Sequence, residues 1–295
     1  MNTLKLQNSI FKALIEIFIW NKKLRSKAKA KWVKFHLKKY VDNAVSTTEK
    51  VDLTETKPER PIIWQYWHQG IENAPLLIQK CIASLKEHHP DCDIRVLSFD
   101  NINDYVTIPQ RYYDLLEKNE MAIAHFSDIL RLYLLTTYGG TWVDATLYFT
   151  DRIPQKIFES DFCTVEKDYI TDNFGDRMSC YFIHAKQNSI WTHLTRKALE
   201  NYWAENDYLI HYFIFEHIVS MIAESTSTLQ DDWAKMNNVK NNNMGHLRKL
   251  LYEDFDEKLY EDVKQKSFMH KLSYKVLRDK SSGKTFYDKI AEGNL

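Results

Sequence analysis

"HFSDILRLYLLTTYGGTWVDATLYFT", residues 125–150, decides how this chain is read. It joins an apolar helical pattern to a double glycine, and then to a strand-like run with one acid, Asp144, in its middle. The spacing predicts a helix over 121–137, which puts Asp128 and Arg131 three residues apart on one face, as an ordinary surface ion pair or as something more. Gly139 suits the left-handed position that ends a helix, and Gly140 lets the chain turn tightly into the next strand. Across 141–149 a two-residue period sets Val143, Ala145, Leu147 and Phe149 on one face and Trp142, Asp144, Thr146 and Tyr148 on the other. Asp144 and Thr146 are therefore expected to point together near a strand end, where a carboxylate with an oxygen ligand beside it can hold a divalent cation against a diphosphate.

Working outward, "PIIWQYWHQG" (61–70) predicts a buried strand closing in a ligand-side loop, 74–89 a helix, "CDIRVLSFD" (92–100) a second strand and 109–119 another helix. The succession β-α-β-α-α-β predicts an α/β fold with a parallel, nucleotide-binding style sheet and sites at the carboxyl ends of its strands. Farther on, "DFCTVE" (161–166) and "SCYFIHA" (179–185) predict short strands, and 189–204 and 207–224 helices. The basic stretch 268–295 lacks clear periodicity and is a candidate loop or tail over a site.

Alternation places Trp64 with Tyr66 and puts Trp67 on the opposite face, which makes Trp67 the base-stacking candidate. Gln69 and Gly70 either admit a nucleotide to the backbone or form a simple turn. His270, Lys271 and Lys275 either close over a diphosphate or form an exposed basic tail. His184, His211 and His217 are either buried, satisfied histidines or include one that serves the metal or acceptor, and Asp207 and Glu216 are either acceptor-side acids or solvated helix residues.

With 295 residues, abundant aromatics and an ordinary charged fraction, the chain is globular, and one catalytic-size domain is expected from 61 to 295. Its formal charge is zero, yet residues 1–40 carry eleven Lys and Arg against one acid, Glu16. "SIFKALIEIFIW" (9–20) is interrupted by charge and too short to span a bilayer, and no small-residue cleavage site follows, so neither a transmembrane helix nor a signal peptide is expected. Apolar and then basic, residues 1–60 read as an amphipathic helical region and linker, lying on an anionic membrane surface or packed on the domain. Nothing accompanies the charge to suggest nucleic-acid binding. Four cysteines without CxxC spacing argue for buried thiols in a reduced, cytoplasmic setting. The chain has no GxxxxGK[ST] loop, GxSxG elbow or HExxH helix.

The joint occurrence of S-D-I-L-R (Ser127–Arg131), Y-G-G (Tyr138–Gly140) and V-D-A-T (Val143–Thr146) resembles the capsular polysaccharide synthesis proteins, relatives of the DXD-containing sugar transferases. That wider group includes initiating mannosyltransferases and clostridial glucosylating toxins. The resemblance implies a GT-A-type, Rossmann-like domain with helical additions, a nucleotide-diphosphate sugar donor, Mn2+ or Mg2+, and retention of anomeric configuration. By motif, Trp67 is similar to the aromatic that stacks on the base, Asp128 and Arg131 to the residues holding donor ribose and sugar, and Asp144 to the first DXD acid. The implied catalytic set is Asp128, Arg131 and Asp144; Gln69, Gly70, Gly140, His270, Lys271 and Lys275 join the donor-binding set, and Asp144 with Thr146 forms the metal set. Thr146 stands where the second acid belongs, which implies a metal held weakly, through water, or with the help of positive side chains. The expected function is transfer of a sugar to a capsular or other surface polysaccharide intermediate, on a lipid-linked acceptor at the inner face of the plasma membrane. The alternative is a noncatalytic nucleotide-sugar or polysaccharide-binding protein.

Overall fold

The computed structural model describes residues 3–47, 58–166, 177–240, 243–275 and 284–293. The 48–57 part of the expected linker and the 276–283 part of the expected tail lie outside the described residues. In chain order the elements are α1 (Thr3–Phe18), α2 (Lys22–Thr47), β1 (Ile62–Tyr66), α3 (Leu76–His88), β2 (Asp93–Leu97), α4 (Gln110–Glu117), α5 (Ile123–Tyr138) and β3 (Gly140–Val143). There follow β4 (Leu147–Phe149), α6 (Gln155–Phe158), β5 (Phe162–Glu166), β6 (Met178–Ala185), α7 (Ile190–Glu205), α8 (Ile214–Ala223) and α9 (Ser227–Lys235). The last elements are β7 (Val239–Lys240), α10 (His246–Leu250), α11 (Glu257–Lys266), β8 (Met269–Lys271) and α12 (Phe286–Glu292). The chain is α/β, as its pattern predicts, and divides into two compact units. One comprises Met1–Lys57, Asn103–Gly140 and Ser160–Lys240, and the other Pro58–Ile102, Thr141–Glu159 and Asn241–Leu295.

In the second unit β1 pairs parallel with β2 and with β3, in the registers Ile62↔Asp93 and Ile63↔Thr141. All five residues of β1 are buried, which is why it reads as an apolar run interrupted once, at Gln65. The α3 helix starts after Pro75 and buries Leu77, Ile78, Cys81, Ile82 and Leu85 at helical spacing. Because β2 and β3 lie on opposite sides of β1, the strand order reverses there, and the carboxyl ends of β1 and β3 flank the crevice where such sheets bind ligands.

The run 141–149 is two strands, which corrects the expectation of one strand with a common face for Asp144 and Thr146. The chain turns at Asp144–Thr146, closed by the Leu147 N–H donating to the Asp144 carbonyl at 3.0 Å. Trp142, Val143, Leu147, Tyr148 and Phe149 are all buried, so the strands have no wet face, and the two polar residues sit in the turn, half-buried. Beyond the turn, β4 pairs antiparallel with β8, Tyr148 opposite His270. The tail is thus not a loose cover: β8 is in a ladder, and α12 opens with a capping box between Thr285 and Asp288. Phe286 and Ile290 of α12 join Leu77, Cys81, Tyr148, Tyr260 and Leu272 in one core cluster.

In the first unit α5 is buried on nearly every side, its polar His125, Asp128 and Arg131 included. It packs on α7 and β6, and α2 packs on α7 and α8. Val33, Leu37, Val41 and Ala44 of α2 belong to this core, so the packed reading of the basic N-terminal region holds for α2. Asn8 of α1 is buried as well, donating to Tyr208 Oη at 2.9 Å and to the Ile210 carbonyl at 3.1 Å. The strands expected at 161–166 and 179–185 form, but β5 and β6 pair antiparallel, whereas β5 pairs parallel with β7. Antiparallel pairing of this kind needs no crossover helix between the strands. The helix expected over 207–224 begins only at Ile214. Tyr202 Oη accepts from the Ile210 N–H and donates to the Tyr208 carbonyl, and this holds the preceding residues as a loop.

Gly139 ends α5 with φ 67 and ψ −158, its N–H donating to the Leu135 carbonyl. That backbone is glycine territory but outside the left-handed helical region. A Cβ there would lie 2.5 Å from the Gln187 backbone N. Gly139→Ala is expected to destabilise the fold by about 1–3 kcal/mol, read as a lower denaturation midpoint in urea.

Candidate functional site

At the end of β1 the Trp67 N–H donates to the Leu97 carbonyl at 2.9 Å, and the Gly70 N–H closes a turn on the Trp67 carbonyl at 3.0 Å. Gly70 has φ 80, so this turn, expected at Gln69–Gly70, uses a backbone that favours glycine. The Trp67 ring packs on a small core of Ala74, Ile78, Ile82 and Ala145, and meets Tyr274 edge-on at 5.3 Å. Ala145 belongs to the turn after β3, so the carboxyl ends of β1 and β3 meet through this core. Trp67 Nε1, Thr146 Oγ1 and both amide atoms of Gln65 are buried without a hydrogen-bond partner among the described residues. Desolvated polar atoms of this kind are costly unless water or a polar ligand satisfies them.

Asp144 directly precedes Ala145 of this cluster. Its Oδ1 accepts from Trp142 Nε1 at 3.0 Å and its Oδ2 from Lys271 Nζ at 2.6 Å. The two-residue spacing of Trp142 and Asp144 puts both side chains on one side of the strand end, which permits the first bond. The second depends on the β4–β8 ladder, which sets Lys271 opposite Leu147, while the Lys271 N–H donates to the Met244 carbonyl at 2.7 Å. Both charged side chains keep 27% exposure, so the pair is open to a ligand.

The residues do not fit a divalent cation held by protein ligands. Both Asp144 oxygens are engaged, one by an ammonium, and Thr146 brings only a buried hydroxyl. No three His, Cys, Asp or Glu side chains converge among the described residues. Mn2+ and Mg2+ want a near-octahedral set of oxygens.

The Asp128–Arg131 pair of the first unit is buried, at 7% and 3% exposure, which corrects the surface-pair reading. Arg131 Nη1 lies 3.1 Å from Asp128 Oδ1 and donates to the Cys180 carbonyl at 2.6 Å, with its guanidinium over the Phe215 ring. Trp203 Nε1 donates to His125 Nε2 at 2.9 Å. His125 Nδ1 therefore carries the ring proton and donates to Asp128 Oδ2 at 3.2 Å. Asp128 is thus held from both oxygens in a preorganised network.

Of the other expected residues, Gln69 and Lys275 are exposed, and Gly140 opens β3 at φ 99. His270 is fully buried, its Nε2 3.0 Å from Thr150 Oγ1, and so faces the packing rather than a ligand. His184 and His217 are buried, Glu216 is buried in α8, and Asp207 lies in the loop before it. Sequence reasoning missed Gln65, Trp142, Tyr274 and His125. Gln65 was signalled by its place in an apolar run and Trp142 by its two-residue spacing from Asp144. Tyr274 and His125 carry no local signal, because tertiary packing alone supplies their partners.

An α/β chain with its open, charged cluster at the carboxyl ends of parallel strands belongs to the architectural class that binds ligands at that edge. Within that class it belongs to the capsular polysaccharide synthesis protein family, whose model matches residues 15–290. The chain is 30% identical over 92 residues to O-glycosyltransferase braB of Annulohypoxylon truncatum and 25% identical over 91 residues to glycosyltransferase afumC of Aspergillus fumigatus. Each match takes in 28% of this chain and 22% or 23% of the relative, so the chain spans less than a quarter of the length of either. Among solved structures it is similar to PaToxG glycosyltransferase, at TM-score 0.40 and 16% identity over 72% of this chain and 84% of that one. It is similar to galactosyltransferase LgtC at TM-score 0.40 and 11% identity, over 79% and 95% of the two chains. Likenesses at that level carry no weight for function. Over those stretches the chain is similar to two proteins named as glycosyltransferases.

Burial pushes the His184 and His270 imidazoles from 6.5 down to about 4, against weaker opposing backbone hydrogen bonds at Ser160 and Ser267. Both are neutral in the folded protein at neutral pH, whereas the unfolded chain takes up their protons once pH falls below about 6.5. Stability is therefore expected to be full above 6.5 and to fall as pH drops toward 4, read as melting temperature against pH. His270→Gln should make that slope shallower.

Proposed function

We propose that this protein is a glycosyltransferase that moves a sugar from a nucleotide-diphosphate donor to a capsular or other surface polysaccharide intermediate. The observation that carries the reading is the half-open Asp144–Lys271 pair at the carboxyl ends of β1 and β3, beside Trp67, in a chain of the capsular polysaccharide synthesis family. A diphosphate leaving group needs charge stabilisation, an aromatic face suits a nucleotide base, and a positive-φ glycine lets a backbone approach it. In the transfer, the bond between the anomeric carbon and the diphosphate oxygen breaks, with its electron pair leaving on the diphosphate. The acceptor oxygen bonds to that carbon and its proton passes to solvent. Retention follows the motif resemblance, as does the assignment of Asp128 and Arg131 to the donor. The rigid hold on Asp128 suits a residue that must not move on binding.

Asp144→Asn is expected to leave the melting temperature within a few degrees of the parent, since a half-exposed pair contributes little to stability. It is expected to reduce sugar transfer, measured with a panel of nucleotide sugars and lipid-linked acceptors, by about 100-fold or more. If the unaltered chain neither transfers nor hydrolyses any donor, the noncatalytic binding reading replaces this one.

For the acceptor side, we propose that the tip of the α1–α2 hairpin rests on an anionic membrane surface at its cytoplasmic face. Ile17, Phe18, Leu24 and above all Trp20, at 90% exposure, stand in solvent among Lys22, Lys23, Lys27 and Lys31. Phe18, Trp20 and Leu24 line an apolar groove of about 600 Å³ there. Apolar side chains ringed by lysines suit the boundary between headgroups and acyl chains. No helix among the described residues is long and apolar enough to cross a membrane. Deleting 1–40 would strip α2 from the core, so the surface is tested at the tip. Phe18→Ser with Trp20→Ser is expected to lower binding to phosphatidylserine vesicles about tenfold or more in sedimentation. Activity on a soluble acceptor should persist, and unchanged vesicle binding would rule the surface out.

A further inference from the structure

The second unit already places a cation where the resemblance implies a metal. We propose that Lys271, positioned by Asp144, takes the part of the divalent ion, so that donor binding and transfer proceed without one. This rests on the glycosyltransferase reading above.

Lys271 Nζ is 2.6 Å from Asp144 Oδ2, and Trp142 Nε1 holds Oδ1 at 3.0 Å, so the carboxylate is aimed from both sides. A divalent ion taking Asp144 as ligand would have to displace the ammonium or sit against a like charge a few ångströms away. Thr146, in the place of the second acid, keeps its hydroxyl buried and offers no compensating charge. The ammonium is not on a loose tail. The β4–β8 ladder and the bond from the Lys271 N–H to the Met244 carbonyl fix its backbone. Its 27% exposure leaves it reachable from solvent, and an ammonium has three N–H donors, enough to hold a carboxylate and a phosphate oxygen together.

In the reaction, the bond from the anomeric carbon to the diphosphate oxygen breaks and its electron pair goes to that oxygen. The Lys271 ammonium donates a hydrogen bond there and keeps its proton, while the acceptor hydroxyl bonds to the carbon and releases its proton to solvent. Lys271 is then the residue that touches substrate, and Asp144 a positioning residue that holds Nζ at the strand end. This explains how a motif with threonine as its second member still neutralises a diphosphate.

The test measures binding of UDP, GDP, ADP, CDP and dTDP to the full chain by calorimetry, once in EDTA and once in Mn2+. At least one nucleotide is expected to bind the unaltered protein with the same affinity, within about threefold, in both. Lys271→Met should weaken that binding by about tenfold to a hundredfold, with no rescue by Mn2+, and Lys271→Arg should restore most of it. Asp144→Asn should weaken it less than Lys271→Met. Melting curves report whether the variants fold, and the EDTA comparison needs no variant. Binding that requires Mn2+, or Lys271→Met binding like the parent, overturns the lysine role and leaves the transferase reading standing. If none of the nucleotides binds the unaltered protein under either condition, both fall.

Discussion

The contact between the Asp144 carboxylate and the Lys271 ammonium joins residues 127 positions apart, and the arrangement of the second unit is what brings them together. It requires that the chain leave the parallel strands at Val143, turn through Asp144–Thr146 and return as β4, so that β8 can pair with it. The turn is closed by a backbone bond from Leu147 to Asp144 and braced by the Leu272 N–H donating to the Thr146 carbonyl at 2.9 Å. Without that exit from the sheet Asp144 would sit mid-strand, between two buried faces, and its desolvation would be prohibitive. Fold and site are thus set by the same three residues.

Burial on both sides of β1 and β3 has a second effect. It leaves the strand end as the place for charge: Asp144 and Thr146 flank Ala145, which with Ala74, Ile78 and Ile82 forms the core that Trp67 packs on, while the uncharged Gln65 stays buried within β1. The charged pair is satisfied and open, while Trp67 Nε1 and Thr146 Oγ1 are buried and lack partners among the described residues. A site made this way is preorganised for charge, and its remaining polar demand suits a polar ligand. In the first unit Asp128 is treated differently: Arg131 and His125 hold it within the packing, with the histidine tautomer set by Trp203. The α1–α2 hairpin divides its duties by position, with α2 burying apolar residues in the core and the tip leaving Phe18 and Trp20 outside.

Much of this was legible in the sequence where local periodicity and burial agree. The apolar run of β1, the helical spacing of α3 and α5, and a positive-φ glycine ending α5 were legible because each answers to its neighbours within a few residues, although Gly139 lies outside the left-handed helical region expected of it. The two-residue period failed at 144–146 because it presumes a strand with one wet face, and this one has none. The loop before α8 was missed because Tyr202, from the preceding helix, captures it. The C-terminal segment appeared structureless because β8 is three residues long and forms only against β4.

The sequence by itself determined the α/β class, the family motif around Asp128, Gly139 and Asp144, the absence of a second acid at Thr146, and the basic, apolar-tipped N-terminus. These are properties of spacing and residue type. Only the tertiary structure decided that Asp144 lies in a turn, that the Asp128–Arg131 pair is buried, and that α2 belongs to the core. It also decided that a lysine from the far end of the chain lies against the motif carboxylate. Those outcomes depend on pairing and packing between distant segments, where the partner of a charge is set by which strand the chain lays beside it rather than by any residue nearby.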